Sequence, residues 1–301
     1  MPPPALFIGL DAGGTKTDVL VRNESGDTIS LAGPPANLQR LGPETTARTL
    51  ADLIDEARRR FSGARVRGMC AGVAGAGRAT DRQALTERLR ARLGEDAPSR
   101  LVIVSDARIA LEGAFEGASG AIVIAGTGSM VLARDRRGAC VRAGGWGLLL
   151  GDDGSGYAVG RAGLRALAAA FDGGPETRLR QLFAEAFDLR TPEALIRRVY
   201  AEGWSLAEAA PLVLEAAAAG DAVALAIVEE ETRRLARQAG WLARRAGNLE
   251  PRFALIGGMT RDAFYRGRLR TALLERLPGW RSEAPLRSPV EGALLLACRN
   301  A

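Results

Sequence analysis

Histidine is absent from this 301-residue chain. That absence alone removes Ser-His-Asp and Cys-His nucleophile systems, HExxH zinc sites and His-bearing zinc fingers. Cysteine is scarce: Cys70, Cys140 and Cys298 lie far apart and form no CxxC. This argues against a thiolate zinc site and a disulfide framework, and favours a reducing, cytoplasmic setting. Lysine is nearly missing as well, since Lys16 is the only one and the net charge of +6 comes from arginine. The arginines are scattered over amphipathic stretches, with Arg58-Arg59-Arg60 the longest run, and only 5% of residues are aromatic, which leaves little for base stacking. Solvated helix faces are the reading, and no nucleic-acid partner is expected. No apolar run approaches the ~20 residues of a membrane span, and the Met1-Pro-Pro-Pro start lacks the basic and apolar regions of a signal peptide. Proton chemistry in such a chain must rest on carboxylates or on a bound group.

What is present is ordinary for a folded protein. Hydrophobic residues make up 47% and charged residues 25%. The length fits two domains or one large one, and a chain of this size buries about 75% of its unfolded surface without staples.

The N-terminal third reads as β followed by α/β. Residues 5–10 form a short apolar run, then comes the turn Asp11-Ala12-Gly13-Gly14-Thr15, a strand at 18–21, the turn Asn23-Glu24-Ser25-Gly26 and a third strand at 28–31. Pro43 opens a helix with Leu50, Leu53, Ile54, Ala57 and Phe61 on one face. Strands at 66–73 and 101–104 flank a helix at 80–93. The opening unit then returns: an apolar run at 121–125, Gly126-Thr127-Gly128-Ser129, a strand at 130–133 and a turn at 135–138. Gly14-Thr15 and Gly126-Thr127 are 112 positions apart, as are Val19 and Val131, Leu20 and Leu132, Arg22 and Arg134, and Gly26 and Gly138. One offset across five landmarks predicts a duplicated β-meander. From 155 onward helices dominate (155–171, 177–187, 192–202, 206–218 and 221–246). A strand at 252–256 followed by Gly257-Gly258, and helices at 261–276 and 289–297, close the chain.

The glycine turns match no familiar nucleotide loop. Gly9-x4-Gly14 begins like a Walker A loop, but Thr15 separates it from Lys16, and neither Gly72-x2-Gly75-x-Gly77 nor Gly126-x-Gly128 has the GxGxxG spacing. What remains is a pair of tight hairpin turns with exposed amides and a Thr hydroxyl, which suits an anion. Asp11 beside the first turn could hold Mg²⁺ through water, as a hard oxygen ligand suits that ion.

These residues carry a resemblance. Leu10-Asp11-Ala12-Gly13-Gly14-Thr15-Lys16-Thr17 resembles the first phosphate motif of the actin/sugar-kinase/Hsp70 superfamily, Ala125-Gly126-Thr127-Gly128-Ser129 its second, and Leu255-Ile256-Gly257-Gly258 its adenosine motif. More specific are Val104-Ser105-Asp106-Ala107, Gly144-Gly145-Trp146-Gly147 and Gly151-Asp152-Asp153-Gly154-Ser155, which in this order resemble the N-acetylglucosamine kinase branch, grouped with the BadF/BadG-type ATPases. Weaker matches, Gly33-Pro34-Pro35-Ala36-Asn37-Leu38 and Ser288-Pro289-Val290-Glu291-Gly292-Ala293, extend the resemblance over nearly the whole chain.

The resemblance implies an α/β, two-domain, actin-like ATPase (ribonuclease H-like) fold with an inter-domain cleft. The expected first domain covers 1–115 with the C-terminal helix at 286–301 packing back on it, and the second covers 116–285 with helical insertions. It implies a cytoplasmic enzyme, a homodimer by analogy with the relatives, that uses ATP and Mg²⁺ to phosphorylate the 6-hydroxyl of an amino sugar, N-acetylglucosamine first, with glucosamine or N-acetylmuramic acid as alternatives. Asp106 would be the base for the sugar hydroxyl; read from the residues alone, without the surrounding motifs, it is a helix N-cap ahead of 107–115. Gly13, Gly14, Thr15, Lys16, Gly126, Thr127, Gly128 and Ser129 would face the phosphates, and Gly257 and Gly258 the adenosine, with Asp11 on the metal. Asn37, Thr127, Gly145, Trp146 and Asp152 would shape the sugar pocket with Asp106. Lys16 is also readable as a surface residue, Trp146 as core and Asp153 as a solvated loop or cap. Two other classes share the fold. An activator ATPase of a 2-hydroxyacyl-CoA dehydratase would need cysteines for a shared iron–sulfur cluster, and only Cys140 is suggestively placed; a sugar sensor would not need Asp106. The zinc motif frequent in the ROK sugar kinases is missing.

Overall fold

The computed structural model describes residues 5–62 and 64–299; Met1–Pro4 and the final two residues, which belong to the expected domain ends, lie outside the described residues. The chain divides into two compact units, Met1–Ala118 with Ala284–Ala301, and Ser119–Glu283.

The first unit is built on a five-stranded sheet of order β3-β2-β1-β4-β5. β1 (Ala5–Ala12), β2 (Thr17–Asn23) and β3 (Thr28–Gly33) form an antiparallel meander, and β4 (Arg65–Val73) and β5 (Arg100–Ser105) add in parallel to β1. Alternation decides what each face meets. Leu6, Ile8 and Leu10 join Leu50, Ile54, Leu85 and Leu89 of α1 (Leu38–Arg60) and α2 (Ala79–Leu93) in one core. On the opposite face Cys70 meets Ile109, Ala293 and Ala297 of α3 (Asp106–Phe115) and α10 (Pro289–Cys298). A sheet covered on both sides is the three-layer solution for a partly parallel sheet.

Helix α1 begins earlier than Pro43. Asn37 caps a first turn, accepting from the N–H groups of Gln39 at 3.0 Å and Arg40 at 3.1 Å. The path breaks at Gly42 (φ 73°, ψ 167°) and resumes at Pro43, whose missing N–H suits a helix start. The C-terminal helix starts at Pro289, not 286, because Ser288 and Glu291 form a capping box there.

The second unit repeats the plan with order β10-β9-β6-β7-β8. β6 (Gly120–Ala125), β7 (Ser129–Arg134) and β8 (Cys140–Gly144) form the antiparallel meander, and β9 (Arg252–Ile256) adds in parallel to β6, with the two-residue β10 (Arg281–Ser282) beyond it. The 112-residue offset holds pair by pair: Thr17 has moved to Ser129, Val19↔Leu31 has its copy in Val131↔Ala143, and the turns close alike, with Asn23 N–H to Asp27 at 3.0 Å and Asp135 N–H to Ala139 at 2.9 Å. The first strands differ by one residue. Ala12 pairs with Thr17 across Gly13–Lys16, whereas Ala125 pairs with Ser129 across Gly126–Gly128, so the first turn is one residue longer.

The rest of this unit is helical: α4 (Gly156–Phe171), α5 (Leu179–Phe187), α6 (Pro192–Tyr200), a 3-10 turn at Leu206–Ala209 leading into α7 (Ala210–Ala218), α8 (Ala222–Ala246) and α9 (Ala263–Arg276). Val123, Val131, Phe183, Val213, Leu235, Phe253 and Leu273 lie in its buried core. Among the described residues no single helix is long and apolar enough to cross a membrane.

Candidate active site

In the first unit, the carboxyl ends of parallel strands bring two carboxylates together. Asp11 stands near the end of β1, paired with Gly72 of β4, while Asp106 follows β5 directly and is the first residue of α3. Openings beyond the carboxyl ends of strands are where α/β sheets place ligands. Asp106 is not the cap of α3. Ser105 occupies the cap position, and Asp106 Oδ1 accepts the neighbouring Ala107 N–H at 2.8 Å. The Asp106 side chain is exposed to solvent, with protein groups gathered around it. Desolvation therefore raises its carboxyl above the usual range, against the lowering by the Ala107 N–H. Burial, then the charges of Asp106 and Asp18, push Asp11 up to about 6, with Lys16 opposing.

The glycine turn follows. Gly13 donates to the Lys16 carbonyl at 3.0 Å, and its own carbonyl accepts from Ala36 at 3.1 Å. The Thr17 hydroxyl is committed to the Pro34 carbonyl at 2.7 Å, whereas Thr15 is exposed and its hydroxyl makes no hydrogen bond among the described residues. Lys16 is exposed and pairs with Asp18 at 2.9 Å. Asn37 has its oxygen on the α1 cap, and its Nδ2 lies 4.0 Å from where a Cβ on Gly14 would be.

These donors suit a hard cation. Asp106 and Asp18 each repel the Asp11 carboxylate, and a divalent ion at Asp11 would relieve that repulsion. Among the described residues no three acidic or thiol groups form a metal-ligating cluster. The set therefore fits an ion held chiefly by phosphate and water with Asp11 as its carboxylate, as Mg²⁺ prefers. The cysteines offer nothing comparable: none of the three is in a disulfide, they do not cluster, and burial pushes the Cys70 thiol up to about 12.

In the second unit the turn at 126–128 is docked on the start of α4. Gly126 and Thr127 carbonyls accept from Gly156 at 2.8 Å and Tyr157 at 3.2 Å. Ser129 is buried and fully committed: its N–H donates to Asp152 Oδ1 at 3.0 Å and its hydroxyl to the Asp153 carbonyl at 2.7 Å. Thr127 is exposed, while Gly128 lies against Asp152, whose Oδ2 would be 3.0 Å from an added Cβ. Asp152 is buried, sits at φ 63°, and is raised by desolvation against the Ser129 N–H. Asp153 is not a solvated loop residue, because Gln238 Nε2 donates to its Oδ2 at 2.8 Å.

Gly145 donates to the Ser129 carbonyl at 3.1 Å, continuing the β7–β8 ladder. Trp146 is not core. It is 65% exposed, with the Arg142 guanidinium 5.1 Å from its ring centre. The glycine pair after β9 splits in role. Gly257 has φ 114°, and a Cβ there would lie 2.3 Å from the Ala125 carbonyl oxygen, so the backbone itself requires glycine; Gly258 has open space.

Sequence reasoning missed Glu231, Gln238 and Tyr265, which hold the 152–155 loop. The signal was present. Glu231 and Gln238 lie two turns apart among Val228, Leu235 and Leu242 on the buried face of α8, where polar residues need a buried partner.

A family model described as the BadF/BadG/BcrA/BcrD ATPase family matches residues 8–297. An N-acetyl-D-glucosamine kinase of Dictyostelium discoideum is 30% identical, with 98% of each chain covered. An N-acetylmuramic acid/N-acetylglucosamine kinase of Clostridium acetobutylicum is 34% identical over 168 residues, and the match spans 55% of this chain and about half, 54%, of that relative. Among solved structures, a Chromobacterium violaceum protein described as a candidate N-acetylglucosamine kinase superposes with a TM-score of 0.77 at 26% identity, covering 98% of this chain and 99% of the other. A ROK family glucokinase from Streptomyces griseus, with TM-score 0.57 and 19% identity over 97% and 98% of the two chains, shares the fold.

Proposed function

The chain belongs to the BadF/BadG/BcrA/BcrD ATPase family, and from that premise we propose that it is an ATP-dependent kinase transferring the γ-phosphoryl group to the 6-hydroxyl of an amino sugar, with N-acetylglucosamine as the acceptor. Its architecture is the α/β fold of the actin-like ATPases and sugar kinases. The observation that carries the reading is Asp106: a solvent-accessible carboxylate of raised pKa at the carboxyl end of β5, in the electrostatic neighbourhood of Asp11. The names of the Dictyostelium and Clostridium relatives support the sugar class.

Asp106 accepts the proton of the attacking hydroxyl. In a loose phosphoryl-transfer transition state that proton leaves late, so orientation matters more than basicity. Desolvation raises its carboxyl above the usual range, which strengthens it as a proton acceptor. Gly14 and Thr15 contact the phosphates from the first turn, through backbone N–H groups and the free Thr15 hydroxyl. Gly126, Thr127 and Gly128 do so from the second, and Gly258 lets the backbone approach the adenosine. Mg²⁺ bound with ATP supplies charge neutralisation on the phosphates; Asp11 is the residue to hold it, through water. Asp152 accepts hydrogen bonds from sugar hydroxyls, as an acceptor-only carboxylate suits. The Asn37 amide nitrogen donates to the sugar, and Trp146 offers a flat apolar face. Lys16, engaged by Asp18, is at most a weak phosphate contact. We place the reaction in the cytoplasm and expect a homodimer.

The test is ATP-dependent ADP release with N-acetylglucosamine, glucosamine, N-acetylmuramic acid, N-acetylmannosamine and glucose. Turnover should be strongest with N-acetylglucosamine. ADP release that is the same with and without every sugar overturns the proposal.

A further inference from the structure

The loop at residues 152–155 is tied from behind by three buried side chains that the reaction above does not use. Gly154 donates its N–H to Glu231 Oε2 at 2.9 Å, and its carbonyl accepts the Tyr265 hydroxyl. Both polar groups of one loop residue are thus held by side chains from two different helices, α8 and α9. One residue earlier, Asp153 is held at both ends. Gln238 donates to its carboxylate, and the Ser129 hydroxyl donates to its carbonyl. Glu231 and Gln238 are 5% exposed and Tyr265 is 0% exposed, so the bonds are shielded from water. Arg234 holds the second Glu231 oxygen at 3.3 Å.

The loop is one that needs such support. Asp152 adopts φ 63° and Gly154 φ 75°. A non-glycine residue stays in the left-handed region only where its surroundings over-determine it. At Gly154 a Cβ would lie 2.9 Å from the Leu235 Cβ and 3.0 Å from the Glu231 carbonyl oxygen, so α8 packs directly against the loop. The Asp152 carboxylate that results is aligned, among the described residues, by one hydrogen bond, from the Ser129 N–H at 3.0 Å. Its direction depends on the backbone beneath it.

We propose that Glu231 and Tyr265, backed by Gln238, are positioning residues: they lock the 152–155 loop and thereby aim Asp152 at the hydroxyls of the acceptor sugar. What Asp152 binds rests on the amino-sugar kinase reading; the lock itself does not. The chemistry of each side chain is specific. Position 231 must accept from an N–H, which Gln can do and Leu cannot; position 265 must donate to a carbonyl, which Phe cannot do although it fills the same space.

The experiment compares Tyr265→Phe, Glu231→Leu and Glu231→Gln with wild type, using Leu269→Ala in the core of α9 as a purely destabilising control. Three quantities are read: KM for N-acetylglucosamine and for ATP, Tm, and amide hydrogen exchange of the peptide spanning 152–158. The lock requires the Phe and Leu variants to raise the sugar KM about tenfold with the ATP KM unchanged. Exchange at 152–158 should accelerate selectively, Glu231→Gln should restore most of the wild-type behaviour, and Leu269→Ala should lower Tm without moving the sugar KM. Equal shifts in both KM values, or a sugar KM that follows Tm in the control too, overturns the proposal. If wild type phosphorylates no amino sugar, the kinase reading fails on its own and exchange decides the lock: selective acceleration at 152–158 supports it, and unchanged exchange overturns it.

Discussion

Asp106 raises the pKa of Asp11: burial and then the neighbouring carboxylate push Asp11 from 3.8 up to about 6. A carboxylate raised in the folded state favours folding while it is protonated, so its contribution is fully present below about pH 4 and is lost as pH rises through about 6. At 1.36 kcal/mol per unit the shift corresponds to about 3 kcal/mol, reduced to on the order of 2 kcal/mol by partial solvent exposure. In chelator and without nucleotide, Asp11→Asn should therefore be more stable than wild type above pH 7, and the difference should vanish toward pH 4. Urea unfolding at a series of pH values measures this. A constant difference across the range would show that Asp11 titrates normally.

Asp106→Asn removes the proposed base and the negative charge beside Asp11. Turnover should fall by about 10²–10⁴-fold, nucleotide affinity should hold, and the Asp11-dependent step in stability should move to lower pH. The two readouts separate cause from accident. Lost turnover with an unmoved stability step would mean that the two carboxylates do not interact, and retained turnover would remove Asp106 from the chemistry.

The meander repeat was legible because paired strands carry their register in side-chain alternation and their turns in glycine: Gly26 and Gly138 sit at φ 94° and 88° in matching turns. The extra residue in the first glycine turn was not legible, since Gly13 reads equally as strand end or turn. Asp106 was found by its neighbours in sequence, yet only the coordinates show that Ser105 takes the cap. Trp146 was ambiguous because exposure depends on whether the chain beyond it folds back, and no periodicity governs a loop. The lock on Gly154 was only half legible: Glu231 on the buried face of α8 signals that it needs a partner, but the partners of Gly154 lie 77 and 111 residues away, and periodicity does not name them.

The two glycines after β9 give a paired test. Gly257→Ala meets the Ala125 carbonyl at 2.3 Å and a φ of 114°, and should cost on the order of 3 kcal/mol. Gly258→Ala has open space and helical dihedrals (φ −61°, ψ −41°), so stability should stay within about 0.5 kcal/mol while the ATP KM rises. Denaturant melts and ATP titrations of both variants check this. An unchanged ATP KM in Gly258→Ala would detach this glycine from the nucleotide.

Trp146 separates packing from recognition. A buried tryptophan replaced by alanine costs about 3–5 kcal/mol, but this ring is 65% exposed and its only ring contact with a cation is Arg142, 5.1 Å away among the described residues. An exposed cation–π pair is worth about 0.5–1 kcal/mol, which in a protein of this size moves Tm by only about 1–2 °C. Trp146→Ala should therefore fold and melt almost as wild type. If the ring is the apolar wall of the sugar site, the same change should raise the sugar KM about tenfold, and Trp146→Phe should recover part of the loss because a flat face remains. Thermal melts with sugar and ATP titrations on the two variants distinguish the outcomes. A large fall in Tm would mean that the ring is packed in solution, and an unchanged sugar KM with an intact Tm would leave Trp146 outside the pocket.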